Sequence, residues 1–192
     1  MKIFILAEPR SGSTNLTKWF GTQKDFTVFI EPMNPESIHY KYNKNVFNWG
    51  YETKNILIKE VFFPNSIKRE NVIKSLIDYS NKTIILYRED KIKQFESWLS
   101  ALKTKNWVNK WVMNDMGSPT AEEKNYFNRL INEFKIGYID NPLFFSISYE
   151  ELYETNDGIF RLLDFIGLDG ITNEGFPLGE RYRTIKVIDK LI

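Results

Sequence analysis

The sequence predicts an α/β fold, a single three-layer domain on a parallel sheet, and three observations carry that expectation. Short, continuously apolar runs of strand length recur along the chain, as in strands buried on both faces. Segments of helical patterning separate them, the alternation that right-handed βαβ units produce. The first run ends in a loop of small residues that opens directly into a helix.

The first strand is predicted at 2–7, Lys2-Ile-Phe-Ile-Leu-Ala7, and the loop after it carries Pro9, Arg10, Ser11, Gly12, Ser13 and Thr14. A helix is expected over 13–20, with Leu16, Trp19 and Phe20 as its apolar residues. The second strand, 26–30, runs into Glu31-Pro32. Residues 32–50 form a long polar stretch that includes His39, suited to a cover over a site or a substrate loop. Further strands are expected at 56–62, 83–87 and 143–148. Helices are expected at 66–79, 91–105, 120–136 and 150–166, with a last one at 185–192. No repeat, low-complexity tract or linker interrupts the pattern, so residues 1–192 are read as one domain.

Composition narrows the function classes. A chain of 192 residues that is 42% hydrophobic can bury one sizeable core. Its 26 basic and 25 acidic residues nearly cancel, which is no footprint for wrapping nucleic acid. The absence of cysteine excludes disulfides, thiol catalysis and cysteine metal sites. A single histidine, His39, argues against a histidine-cluster metal site, and no metal is expected. The N-terminus lacks signal-peptide features, and no apolar run approaches the roughly 20 residues of a membrane span. A soluble, cytoplasmic protein is the expectation.

The loop after the first strand has the makings of an anion site. Backbone N–H groups at a helix N-terminus point at an anion, and the helix dipole favours negative charge there. Gly12 permits close backbone approach, and Ser11, Ser13 and Thr14 add hydroxyl donors. The loop lacks the Gly-x-x-x-x-Gly-Lys-Ser/Thr pattern of ATP and GTP sites. Arg10 stands where a cation reaches a transferring group instead. A second candidate is the segment Arg88-Glu-Asp-Lys-x-x-Gln-x-x-Ser97. Arg88 at a strand end and Ser97 about two turns into the next helix can grip one phosphate from two sides. The plainer reading is an Arg88–Asp90 surface pair and an ordinary helical serine.

Together these motifs resemble the sulfotransferases that use 3′-phosphoadenosine 5′-phosphosulfate (PAPS). The resemblance implies that the Pro9–Thr14 loop cradles the 5′-phosphosulfate, that Arg88 and Ser97 hold the 3′-phosphate, and that 3′-phosphoadenosine 5′-phosphate (PAP) is the product. The Arg88-to-Ser97 form is most similar to bacterial carbohydrate sulfotransferases of the trehalose-sulfating type. Ile147-Ser-Tyr-Glu-Glu-Leu152 and the helical segment at 160–168 resemble a further family segment. Asn15 departs from the tryptophan that many members stack on adenine, and Arg10 replaces the lysine of many cytosolic members. Glu180-Arg-Tyr-Arg-Thr-Ile-Lys186, with Arg181 and Arg183, resembles the basic segment that closes over the nucleotide. A solvated helix start is its alternative.

Sulfuryl transfer, which the resemblance implies, needs a base for the acceptor hydroxyl, and Glu31 at the second strand's tip is the first candidate. His39 competes because its free pKa suits base work near neutrality. Glu60 is the third candidate, with a salt bridge to Lys59 or Arg69 as its plainer role. Trp98, Trp107 and Trp111 suit either a helix packing face or a platform for a sugar. A sugar or glycolipid hydroxyl is the expected acceptor. Two other readings stay open. One is a phosphotransferase using ATP, which would need a Mg²⁺-binding acid and a loop lysine. The other is a nucleotide-binding module without turnover.

Overall fold

A computed structural model describes residues 1–34, 55–64, 67–104, 118–168 and 170–178. Five strands, β1 (Lys2–Ala7), β2 (Phe26–Ile30), β3 (Asn55–Val61), β4 (Lys82–Tyr87) and β5 (Phe145–Ser148), form one sheet in the order β2-β3-β1-β4-β5. Every neighbouring pair is parallel. The helices are α1 (Ser13–Thr22), α2 (Ile67–Tyr79), α3 (Lys91–Thr104), α4 (Ala121–Phe134), α5 (Tyr149–Glu154) and α6 (Asn156–Ile166). This is the expected α/β architecture.

Strand alternation sorts the core into two layers. Ile3, Ile5, Leu57, Ile84, Leu86 and Ile147 pack with Leu16 and Phe20 of α1 and with Leu152, Ile159 and Leu162 of α5 and α6. On the other face Phe4, Leu6, Ile58 and Ile85 meet Ile73 and Leu76 of α2 and Leu130 and Phe134 of α4. A third cluster of Trp98, Leu99 and Phe127 ties α3 to α4. Trp98 is only 3% exposed, and its ring stacks on Tyr126 at 5.9 Å. It is a packing residue, and the sugar-platform reading fails for it because its faces are covered.

Three element boundaries differ from expectation, each for a local reason. The last strand starts at Phe145 because Asn141 closes a turn, its Oδ1 accepting from Leu143 N and its carbonyl from Phe144 N. Leu143 is left 85% exposed. The predicted helix over 120–136 opens on a capping box between Thr120 and Glu123, ends as α4 at Phe134, and widens into a π-helical turn at Lys135–Ile139. The predicted helix over 150–166 is two helices. Thr155 is extended between them (φ −126°, ψ 151°), and its hydroxyl accepts from Gly158 N at the start of α6.

From β1 the chain runs to the β2–β3 side of the sheet, then crosses to β4 and β5 on the other side. The strand order therefore switches at β1, and ligands of open parallel sheets bind beyond the strand ends at such a point. The segment 32–50 lies outside the described residues beyond Asn34, as do His39, Trp107, Trp111, Arg181, Arg183 and the helix expected at 185–192. No described helix is long and apolar enough to cross a membrane.

Candidate functional site

The tips of β1 and β4 lie side by side at the switch point, and each delivers one of the two predicted anion loops. After β1, Arg10 takes a left-handed backbone conformation (φ 63°) and Gly12 another (φ 80°), which folds the loop back into α1. Ser11 donates its hydroxyl to the Glu8 carbonyl at 2.8 Å, closing the turn from within. Gly12 is the N-cap of α1 and provides no side-chain cap, so it leaves the amides that open the helix without one. A Cβ on Gly12 would lie 2.8 Å from Tyr149 and 2.9 Å from Tyr153. Tyr153 also donates its hydroxyl to the Gly12 carbonyl at 2.9 Å. Helix α5 therefore roofs the loop, and glycine is required by both φ and space.

The second loop meets the first directly. Arg10 Nε donates to Ser97 Oγ at 2.8 Å, and Arg88 Nη1 reaches the Arg10 carbonyl at 3.5 Å. The Arg88 guanidinium lies over the Tyr149 ring at 4.8 Å and beside the Glu150 carboxylate at 3.6 Å. Asp90 pairs with Lys93 and caps α3 by accepting from Lys93 N, so the Arg88–Asp90 surface pair is replaced by Arg88–Glu150. Glu150 in turn accepts from the backbone N–H groups of Glu89 and Asp90, fixing the start of that loop. The loop from Arg10 to Thr14 is thus brought against Arg88 and Ser97 through Arg10. Asn15 belongs to the first turn of α1, its N–H bonded to the Gly12 carbonyl.

Beneath the loops sits a residue that sequence reasoning passed over. Glu8 is fully buried, and its carboxylate accepts from Lys91 Nζ, Gln94 Nε2 and Arg88 N. Its signal in the sequence was a carboxylate closing an apolar strand run just before Pro9. Lys59 was missed as a site residue too, although a lysine inside the β3 apolar run is unusual. It is buried, and strand alternation places it on the α1 face with Leu57.

Lys59 is the partner of Glu31. Its ammonium bonds the Glu31 carboxylate, Asn34 donates to the other oxygen at 3.0 Å, and Glu31 N donates to the Lys59 carbonyl at 2.7 Å. Burial pushes the Glu31 carboxyl up, but the Lys59 charge and the bonds from Lys59 and Asn34 outweigh it and hold the group below its ordinary value. Glu60 points the other way, toward α2. Its carboxylate accepts from Met33 N at 2.8 Å and lies 3.5 Å from Arg69 Nη2, while burial pushes it up to about 7. Of the two salt bridges expected for Glu60, the one with Arg69 is present, and Lys59 is committed to Glu31.

No family model matches the chain, and no curated protein matches it. Among solved structures it is similar to mouse sulfotransferase SULT7A1 complexed with PAP, with a TM-score of 0.59 at 14% identity. The match covers 90% of this chain and 61% of that one, so this chain spans about three fifths of the neighbour's length. The fold is the sulfotransferase fold. Within it the two predicted anion loops occupy adjacent strand tips at the switch point, and the Glu31–Lys59 pair occupies the tips on the β2–β3 side.

Proposed function

We propose that residues 1–192 form one sulfotransferase domain that moves a sulfuryl group from PAPS to the hydroxyl of a carbohydrate or glycolipid. The observation that carries the reading is the Arg10–Ser97 bond with Arg88 on the Arg10 carbonyl, which joins the two motifs of the resemblance into one cationic site. The residues present fit such a donor: an uncapped helix N-terminus for the 5′ side, and an arginine with a buried serine for the 3′ side. The Arg88-to-Ser97 form supports the trehalose-type subfamily and hence a sugar acceptor. Arg181 and Arg183 are proposed to close over the nucleotide.

In the transfer, the acceptor oxygen bonds to sulfur while the bond from sulfur to the bridging phosphate oxygen breaks, releasing PAP. Negative charge grows on the bridging oxygen. Arg10 and the amides opening α1 stabilise that charge more in the transition state than in the ground state. The acceptor's proton goes to a base, and Glu31 is the residue we assign. Held below its ordinary pKa, it is ionised at neutral pH and so has room for the proton, although the same shift weakens it as a base. Glu60 is the weaker candidate because its side chain is only 1% exposed and turned toward α2, whereas that of Glu31 is 22% exposed. His39 remains the competitor from outside the described residues.

Calorimetry without added metal tests the donor: PAP should bind at micromolar Kd or tighter, and removal of its 3′-phosphate should weaken binding by about 10–10²-fold. A preference for ATP would overturn the reading in favour of a phosphotransferase. Glu31→Gln should keep PAP affinity and lower turnover by about 10²–10⁴-fold, the usual contribution of a positioned base. Retained turnover would move the base to His39 or Glu60.

A further inference from the structure

We propose that Glu8 is a positioning residue for the nucleotide's 3′-phosphate, acting through the loop between β4 and α3; the assignment rests on the PAPS reading above. A buried carboxylate survives only where cations and donors satisfy it. Glu8 is 0% exposed, and among the described residues its side-chain donors all come from one place. Oε2 accepts from Arg88 N at 3.0 Å, Lys91 Nζ at 2.8 Å and Gln94 Nε2 at 2.9 Å, and Oε1 accepts from Lys91 Nζ at 3.0 Å.

The two halves of Glu8 serve different loops. Its main chain belongs to the first: Glu8 N donates to the Leu86 carbonyl at 2.9 Å, and its own carbonyl accepts from Ser11. Its side chain grips the second loop and the first turn of α3. Gln94 completes the link by donating to the Pro9 carbonyl at 2.9 Å as well as to Glu8. Six residues along α3 from Lys91, and three from Gln94, Ser97 meets Arg10. The orientation of α3 against the first loop is therefore set at three successive points.

Charge is arranged to suit an anion. Glu8 takes the Arg88 backbone N–H rather than its guanidinium, so the side-chain charge extends past it toward the Arg10 carbonyl and Glu150. Lys91 neutralises Glu8 in place. The buried carboxylate thus fixes where Arg88 leaves the strand without cancelling the cations that meet the ligand.

A residue that merely supported the fold would, when altered, weaken all nucleotides together. A positioning role for the 3′ side predicts a change in discrimination. The test measures Kd for PAP and for adenosine 5′-monophosphate in wild type, Glu8→Gln and Lys91→Met. Wild type should prefer PAP. Both variants should reduce that preference by about tenfold, the scale of one weakened charge-assisted contact, while the monophosphate Kd stays within about twofold. An unchanged PAP preference in both variants, or a parallel loss for both nucleotides, overturns the proposal. Absence of a PAP preference in wild type instead overturns the nucleotide assignment itself, before either variant is compared. Should Glu8→Gln fail to fold, Lys91→Met decides alone, because Lys91 is 37% exposed and Glu8 keeps the donors Arg88 N and Gln94 Nε2 when it is removed.

Discussion

Glu31 and Glu60 follow one another around Lys59 yet respond to pH in opposite senses. For Glu31 the folded pKa is lowered, so its contribution to stability is present above the ordinary carboxylate range and fades as pH falls through the folded value. For Glu60 the folded pKa is raised from 4.5 to about 7, so the folded state binds the extra proton. Stability from that group is therefore greatest below the unfolded pKa and falls as pH rises from about 4.5 to 7. The full span corresponds to about 3 kcal/mol by linkage. Glu60→Gln should flatten the decline in urea-unfolding free energy between pH 5 and pH 7, because the amide keeps the acceptor for Met33 N without the charge. A slope equal to wild type would mean that Glu60 titrates normally and that its burial is relieved by Arg69.

Helix α1 has a glycine at its N-cap and another within it, and their roles are opposed. Gly12 begins the helix in a left-handed conformation with tyrosine rings under 3 Å from a Cβ, whereas Gly21 sits in its last turn with its nearest neighbour, a Val28 methyl, at 3.8 Å. Gly12→Ala should abolish PAP binding and destabilise by about 1–3 kcal/mol through strain and displaced rings. Gly21→Ala should stabilise by about 0.5–1 kcal/mol, since alanine costs less helix entropy. Denaturant midpoints with PAP titrations check both signs, and a gain at Gly12 would mean the loop does not need its conformation. The same helix shows what the sequence made legible. β1, β3 and β4, largely buried on both faces, write themselves as apolar runs, and the half-buried edge strands β2 and β5 follow from shorter apolar stretches, so all five were readable, as was the small-residue loop into α1. The break at Thr155 was not, because helical periodicity continues across it and only an extended backbone with a hydroxyl cap reveals it. Glu8 and Lys59 were illegible as site residues for a different reason. Their partners are far along the chain (Lys91 is 83 positions from Glu8, and Glu31 is 28 from Lys59), and periodicity carries no information about such pairs.

At the scale of the whole molecule the site is a junction between the two halves of the sheet. The first loop hangs from β1, Arg88 and Ser97 belong to the β4 side, and Glu31 and Lys59 belong to the β2–β3 side. A ligand that engages the junction binds the assembled fold and not the unfolded chain, so it must stabilise folding by RT ln(1 + [L]/Kd). At a PAP concentration 100 times its Kd that amounts to about 2.7 kcal/mol. For a chain of 192 residues, this raises the melting temperature by about 5–10 °C. Arg88→Ala should remove most of the shift at the same concentration, because losing one charge-assisted contact costs about 1.5–3 kcal/mol of binding. Its melting temperature without ligand should change little, since the Arg88 N–H that anchors the strand to Glu8 is retained in alanine. ATP at matched concentration should shift wild type far less than PAP does. If ATP shifts it equally, the junction reads a 5′-phosphate alone, and Arg88 serves the fold through Glu150 rather than the nucleotide.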